Sequence, residues 1–180
     1  LMTSQLTKAL FVSVLLGVSG LAHSATVTFS DITAGNGTNL LFDATTTVPD
    51  AGDGNILNIG LNNFLADGSS PATLSAVDTL SLIITAPDGY VITSVAYTEA
   101  GNGETTNGVA TASGSIVADG KPTNFLTVLF NPSSESGWSI SPAPTAIDNK
   151  QSIAVSVTNS LFAYAFSGSD IAEIQKTEAS

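Results

Sequence analysis

The sequence predicts an all-β fold, an antiparallel β-sandwich or jelly roll of about eight to ten short strands. Stretches rich in Val, Ile, Thr and Ser alternate apolar and polar residues with the period of two that a half-buried strand requires. Between them the punctuation is Asn-Gly, Asp-Gly and Pro-Asp-Gly, the residues of tight turns. No internal repeat and no long linker divide the chain, so a single domain is expected over residues 25–180.

Residues 1–24 are set apart from that pattern. A polar stretch with one cation, Lys8, leads into the apolar run Leu10 to Ala22. The run is shorter than the roughly 20 apolar residues a bilayer span needs and ends in Ala22-His23-Ser24-Ala25, where small residues at Ala22 and Ser24 suit a signal peptidase. The expectation is an exported chain, cleaved after Ser24.

The strands follow in order. Thr26 to Phe29 opens the domain, then Asn39 to Phe42 and Ile56 to Leu61, with Leu74 to Val77 admitting one helical turn. Leu80 to Ala86 alternates, placing Leu80, Leu82, Ile84 and Ala86 on one face. Pro87-Asp88-Gly89 then leads into Tyr90 to Tyr97, with Val91, Val95 and Tyr97 on a face. Because Pro fixes φ and Gly supplies a positive one, these two runs read as a hairpin. Gly114 to Ala118 passes through Asp119-Gly120-Lys121-Pro122 into Phe125 to Phe130, a run apolar on both faces as in a central strand. Ser152 to Thr158 directs Ile153, Val155 and Val157 inward. Phe162 to Phe166 and Ile171 to Thr177 are two more short strands, the latter also compatible with a helical turn.

Removal of the leader takes away His23, the only His, and Met2, the only Met. The remainder has Lys121, Lys150 and Lys176 as its strong cations and neither Arg nor Cys; three Lys against 15 Asp and Glu give a formal charge of −12. Such a chain repels nucleic acid and anionic lipid. Without Cys it has no disulfide, so packing and the backbone ladder must hold the fold. Without His or Cys it has no Ser-His-Asp triad, no thiol nucleophile and no N/S-ligated zinc, copper or iron site. Without Arg, bidentate phosphate clamps are gone as well.

Carboxylate chemistry remains. Asp50-Ala-Gly-Asp53-Gly-Asn55 places three oxygen side chains in a Gly-bearing loop suited to calcium, with Asp50, Asp53 and Asn55 as ligands and Asp43, Asp67 and Asp78 as contributors from neighbouring loops. Glu99 and Glu104 flank Ala100-Gly-Asn-Gly103, so both would sit at one hairpin tip, as solvating charges or as the acid pair of a glycosidase. Trp138, the only Trp, would stack on a sugar ring if exposed, or fill a core edge. Asn36-Gly-Thr38 fits a glycosylation sequon. Three Lys and many Asn also admit a Lys–Asn isopeptide crosslink, though no spacing locates the pair.

The exported N-terminus, the Thr/Ser/Gly/Asn-rich strands and the scarcity of Lys and Arg resemble bacterial exoproteins of the exosortase-sorted, PEP-CTERM kind. The defining tail of Pro-Glu-Pro, an apolar helix and terminal Arg does not occur within these residues. The resemblance implies a surface or matrix role and assigns no functional residue. The expected function is therefore a non-enzymatic structural or adhesive protein of a bacterial cell surface or extracellular matrix, self-associating or binding extracellular polysaccharide. A carbohydrate-binding module is the alternative, and a carboxylate-based glycoside hydrolase the third reading.

Overall fold

Strands account for all the regular structure in the computed structural model, which describes residues 14–16, 25–35, 41–68, 73–125, 128–130, 134–167 and 170–180. In chain order they are β1 (Val14–Leu16), β2 (Thr28–Ala34), β3 (Phe42–Pro49), β4 (Leu57–Leu61) and β5 (Leu65–Asp67). There follow β6 (Thr73–Thr85), β7 (Ile92–Val95), β8 (Glu99–Thr105), β9 (Gly108–Ala118) and β10 (Lys121–Asn124). The last are β11 (Val128–Phe130), β12 (Ser134–Ile140), β13 (Thr145–Lys150), β14 (Ser152–Ala165) and β15 (Ala172–Ala179). The leader expected at residues 1–24 lies outside the described residues except for β1, and Asn36-Gly-Thr38 lies outside them entirely. Among the described residues no helix is long and apolar enough to cross a membrane.

The strands form antiparallel sheets packed together in the manner of a β-sandwich. The largest has the order β10-β9-β14-β6-β2, with β11 also on β9, and is built around the long pair β14–β6. A four-stranded sheet, β12-β8-β15-β5, packs against it, β15 lying over β14, β9 and β4. The smaller sets β1-β7-β13 and β3-β4 complete the layers. The core is the sum of the inward faces: Leu80, Leu82 and Ile84 from β6, Ile153, Val155 and Val157 from β14, and Leu57 and Ile59 from β4 are all buried. The apolar cavity left between them, lined by Leu57, Leu82, Val95 and Val157 among others, is only about 20 Å³, so the layers are close-packed.

The alternation and the Asp-Gly turn behave as the sequence predicts. Leu80, Leu82, Ile84 and Ala86 share the buried face. Asp119 (φ 52°) and Gly120 (φ 75°) form the two-residue loop between β9 and β10, with Lys121 opposite Ala118, so Lys121 and Pro122 belong to the returning strand and not to the turn. Several expectations are corrected. Pro87-Asp88-Gly89 does turn, Tyr90 donating its amide to Pro87, but β6 and β7 do not pair: β6 lies between β14 and β2, and β7 between β1 and β13. The turn carries the chain from one sheet to another. Position 92, not 91, is the buried one on β7, where the register shifts. Leu74 to Val77 and Ile171 to Thr177 are strand, without a helical turn. The runs from Ser152 and from Phe162 are a single 14-residue strand with unbroken alternation. Phe125 to Phe130 does not form a central strand: β11 pairs only with β9 among the described residues.

Candidate functional site: a buried lysine in an aromatic and carboxylate cage

Alternation reserves the inward positions of these strands for apolar side chains, and where the chain places polar groups instead, three of them, Asn159, Lys176 and Glu99, come together. β14 buries every second residue from Ile153 to Ala165, and Asn159 is the middle one. β15 buries Ala172, Ile174 and then Lys176. β8 begins its buried face with Glu99, two residues after the buried Tyr97. Because β14 and β15 belong to facing sheets, the three groups meet in the core.

Their geometry is closed. Lys176 Nζ lies 2.6 Å from Glu99 Oε2, and both side chains are 0% exposed. Nζ also donates to the Tyr97 hydroxyl at 3.2 Å. That hydroxyl donates to Glu99 Oε2 at 2.9 Å and accepts from Asn159 Nδ2 at 2.9 Å. Around the ammonium stand the rings of Phe64, Phe42 and Tyr97, with centroids at 5.0, 5.1 and 5.8 Å. Phe125 stacks on Tyr97 at 4.8 Å, and Phe42 meets Phe64 edge-on at 5.2 Å. Two buried oxygens, Glu99 Oε1 and Asn159 Oδ1, have no hydrogen-bond partner.

Each member is positioned by backbone pairing. Across the four-stranded sheet, Trp138, Gly101 and Lys176 form one row of neighbours, all inward-facing. A side chain at Gly101 would collide with the Trp138 ring and the Gln175 carbonyl, so the glycine admits both the indole and the close approach of β15. After Lys176 a bulge at Thr177 shifts the register and returns Ala179 opposite Glu99. On the other sheet, Asp78 faces Asn159. Asp78 Oδ2 accepts the amides of Leu41 and Phe42, each at 2.8 Å, which fixes the Phe42 ring in the cage.

Burial sets the electrostatics. It lowers the Lys176 pKa from 10.5 to about 8, Glu99 offsetting part of the shift. Burial, with the Glu99 charge second, pushes the Tyr97 phenol well above its usual value, so it stays a neutral donor. The cage therefore holds an amine with an accessible neutral form, a carboxylate, a carboxamide and a phenol, out of contact with water. Amines, carboxylates and carboxamides in such a setting can exchange protons and react with one another.

The other candidate residues are placed elsewhere. Asp50 Oδ1 accepts the amides of Gly52 and Asp53, and its Oδ2 accepts from Asn58. Asp53 caps the Asn55 amide, and Asn55 Oδ1 accepts the Val27 amide. Asp50 and Asp53 are thus engaged in local Asx turns and Asn55 ties the loop to Val27, and the amides beside Asp50 hold its carboxyl below the usual carboxylate range. Asp43 is likewise turned onto Thr45. Among the described residues no three His, Cys, Asp or Glu side chains are grouped as a metal site. Trp138 is a core residue, 6% exposed, its Nε1 donating to the Asn102 carbonyl at 3.2 Å. Glu99 and Glu104 do not flank a hairpin tip: both lie on β8, at positions of opposite parity, so Glu99 points into the core and Glu104 away from it. Gly-rich residues 100–103 are strand because their small side chains let β12 and β15 close on both sides.

The signal for the cage was present in the sequence as parity. Tyr97 and Glu99, Val157 and Asn159, and Ile174 and Lys176 are pairs two apart, so any straight strand through them puts the polar residue on the apolar face. Ending the strands at Tyr97 and Thr158 hides it. No family model, no curated protein and no solved structure matches this chain.

Proposed function

We propose that this chain is a non-enzymatic structural or adhesive protein of a bacterial cell surface or extracellular matrix. The observation that carries the reading is that Glu99 and Glu104, the acid pair of the glycosidase reading, do not face each other; Glu104 stands instead in a row with Glu173 and Asp67 across β8, β15 and β5. Glu99 is sealed in the core and Glu104 is on the opposite face. A shallow hollow of about 290 Å³ between β2, β6, β9 and β14 is lined by one carboxylate, Asp31, beside Ser81, Ser156 and Gly120. One acid does not supply the two-carboxylate mechanism that residues 25–180, which have no His, Cys or Arg, would need. The sheet ends support self-association as the mode of action: among the described residues β2 is terminal in the largest sheet, the kind of position at which an incoming strand pairs. β15 is not such an edge, being paired with β8 and β5 on its two sides.

The test uses purified residues 25–180. They are incubated with glycan and ester panels, and the same preparation is imaged by electron microscopy. The expected result is no turnover, with filaments or surface-bound protein. Hydrolysis at ordinary enzyme rates would overturn the reading.

A further inference from the structure

We infer that Lys176 and Asn159 form an intramolecular isopeptide bond, made by the folded chain itself with Glu99 as its proton-transfer group. The juxtaposition has the parts the reaction needs. The nucleophile is Lys176 Nζ and the electrophile is the Asn159 carboxamide carbon; both groups hydrogen-bond the same Tyr97 oxygen, at 3.2 and 2.9 Å. The proton carrier is Glu99, 2.6 Å from the amine. The walls are the rings of Phe42, Phe64 and Tyr97, and both ends of the new bond stand on strands held by pairing within their own sheets.

The step balances without any co-reactant. Glu99 takes a proton from the ammonium, leaving a neutral amine. The Nζ lone pair then attacks the Asn159 carbonyl carbon, forming the C–Nζ bond and a tetrahedral centre. That centre collapses with cleavage of the C–Nδ2 bond. Glu99 returns its proton to the departing nitrogen, which already carries two hydrogens and leaves as ammonia. Glu99 then takes the surplus proton from Nζ, so an amide and one ammonia replace an amine and a carboxamide and the proton of the original ammonium ends on Glu99. Burial favours the neutral amine, since it lowers the pKa of Lys176 to about 8. Holding the groups together in a dry core supplies the effective concentration that a lysine and an asparagine in water lack. The two oxygens without partners, Glu99 Oε1 and Asn159 Oδ1, fit a cluster awaiting one more proton: on Oε1 it would make the carboxyl a donor able to polarise the carboxamide. The product would tie β14 of one sheet to β15 of the other, a covalent staple in a chain that has no Cys.

Intact mass spectrometry of the purified folded protein reads the outcome directly. The expected mass is that of the mature chain less one ammonia. Trypsin then locates the loss, because it cleaves after Lys150 and, only where the amine is free, after Lys176. A linked chain yields residues 151–180 as one piece lacking ammonia, whereas an unlinked chain releases residues 177–180. Release of that short peptide from the wild-type protein, or loss of ammonia mapped to an Asn-Gly site, overturns the proposal. Glu99→Gln, which keeps the shape of the side chain, is expected to retain the full mass and to free residues 177–180. Full ammonia loss at Asn159 in that variant would remove Glu99 from its role. The wild-type mass decides the bond itself even if the variant fails to fold.

Discussion

At the scale of single residues, the energetics centre on the ion pair between Lys176 and Glu99, and they are best measured where no link can form, in an Asn159→Ala background. Removing one partner of a buried pair leaves an uncompensated charge, which costs about 3–5 kcal/mol. Glu99→Ala in that background is therefore expected to lower the unfolding free energy obtained from urea melts by such an amount. Adding Lys176→Met should recover part of the loss, since the methionine fills the aromatic cage without a charge. Equal losses in the single and double variants would contradict the coupling. The same background carries a pH signature. The folded amine releases its proton near pH 8 and the unfolded one near 10.5, so between those values the unfolded chain binds more protons. The contribution of Lys176 to stability therefore rises with pH across that window. Tyr97 acts in the opposite sense above about pH 10, where an unfolded phenol ionises and the buried one does not. In the linked wild-type chain Lys176 no longer titrates, so the rise from pH 8 should be absent; urea melts at stepped pH separate the two cases.

At the scale of strands and turns, glycine marks the close approaches. A Cβ at Gly101 would meet the Trp138 ring at 2.6 Å in addition to the backbone of β15. Gly101→Ala is expected to cost at least about 1–3 kcal/mol, the range for overpacking a filled core, and to quench or shift the Trp138 fluorescence. Gly120→Ala tests a different cause. Nothing lies near its side-chain position, but φ is +75°, so the loss is conformational and should stay near 1–2 kcal/mol with m unchanged. The hairpin β9–β10 was legible because Asp119-Gly120 encodes the left-handed turn locally. The apparent hairpin at Pro87-Asp88-Gly89 was not, because a turn motif fixes the reversal of the chain and not which sheet the next strand joins.

At the scale of the molecule, the last strand is structurally central. β15 fills the place between β8 and β5 and carries Lys176 and Ile174 into the core. A chain ending at Asp170 is expected to lose cooperative unfolding and to expose apolar surface, seen as dye binding and a flattened thermal transition. A sharp transition like that of the longer chain would show that the sandwich closes without it. The acidic balance acts at this scale too, keeping the surface charged while the few cations are drawn into pairs: Lys121 with Asp148 at 2.7 Å, and Lys176 in the core. The exposed pair contributes little in water, whereas the buried one specifies how the two sheets meet.

The sequence by itself determined the β class, the burial parity of the long strands and the reversal at Asp119-Gly120, because composition, period-two alternation and turn residues act over a few positions. It held the parity of Glu99, Asn159 and Lys176 as well. Only the tertiary structure decided that these three converge, that Trp138 is a core residue against Gly101, and that Glu104 is separated from Glu99. Those outcomes depend on which strand lies across from which, a choice made by long-range packing between sheets. The lysine of β15 thus reaches the asparagine of β14 only once the two layers have closed.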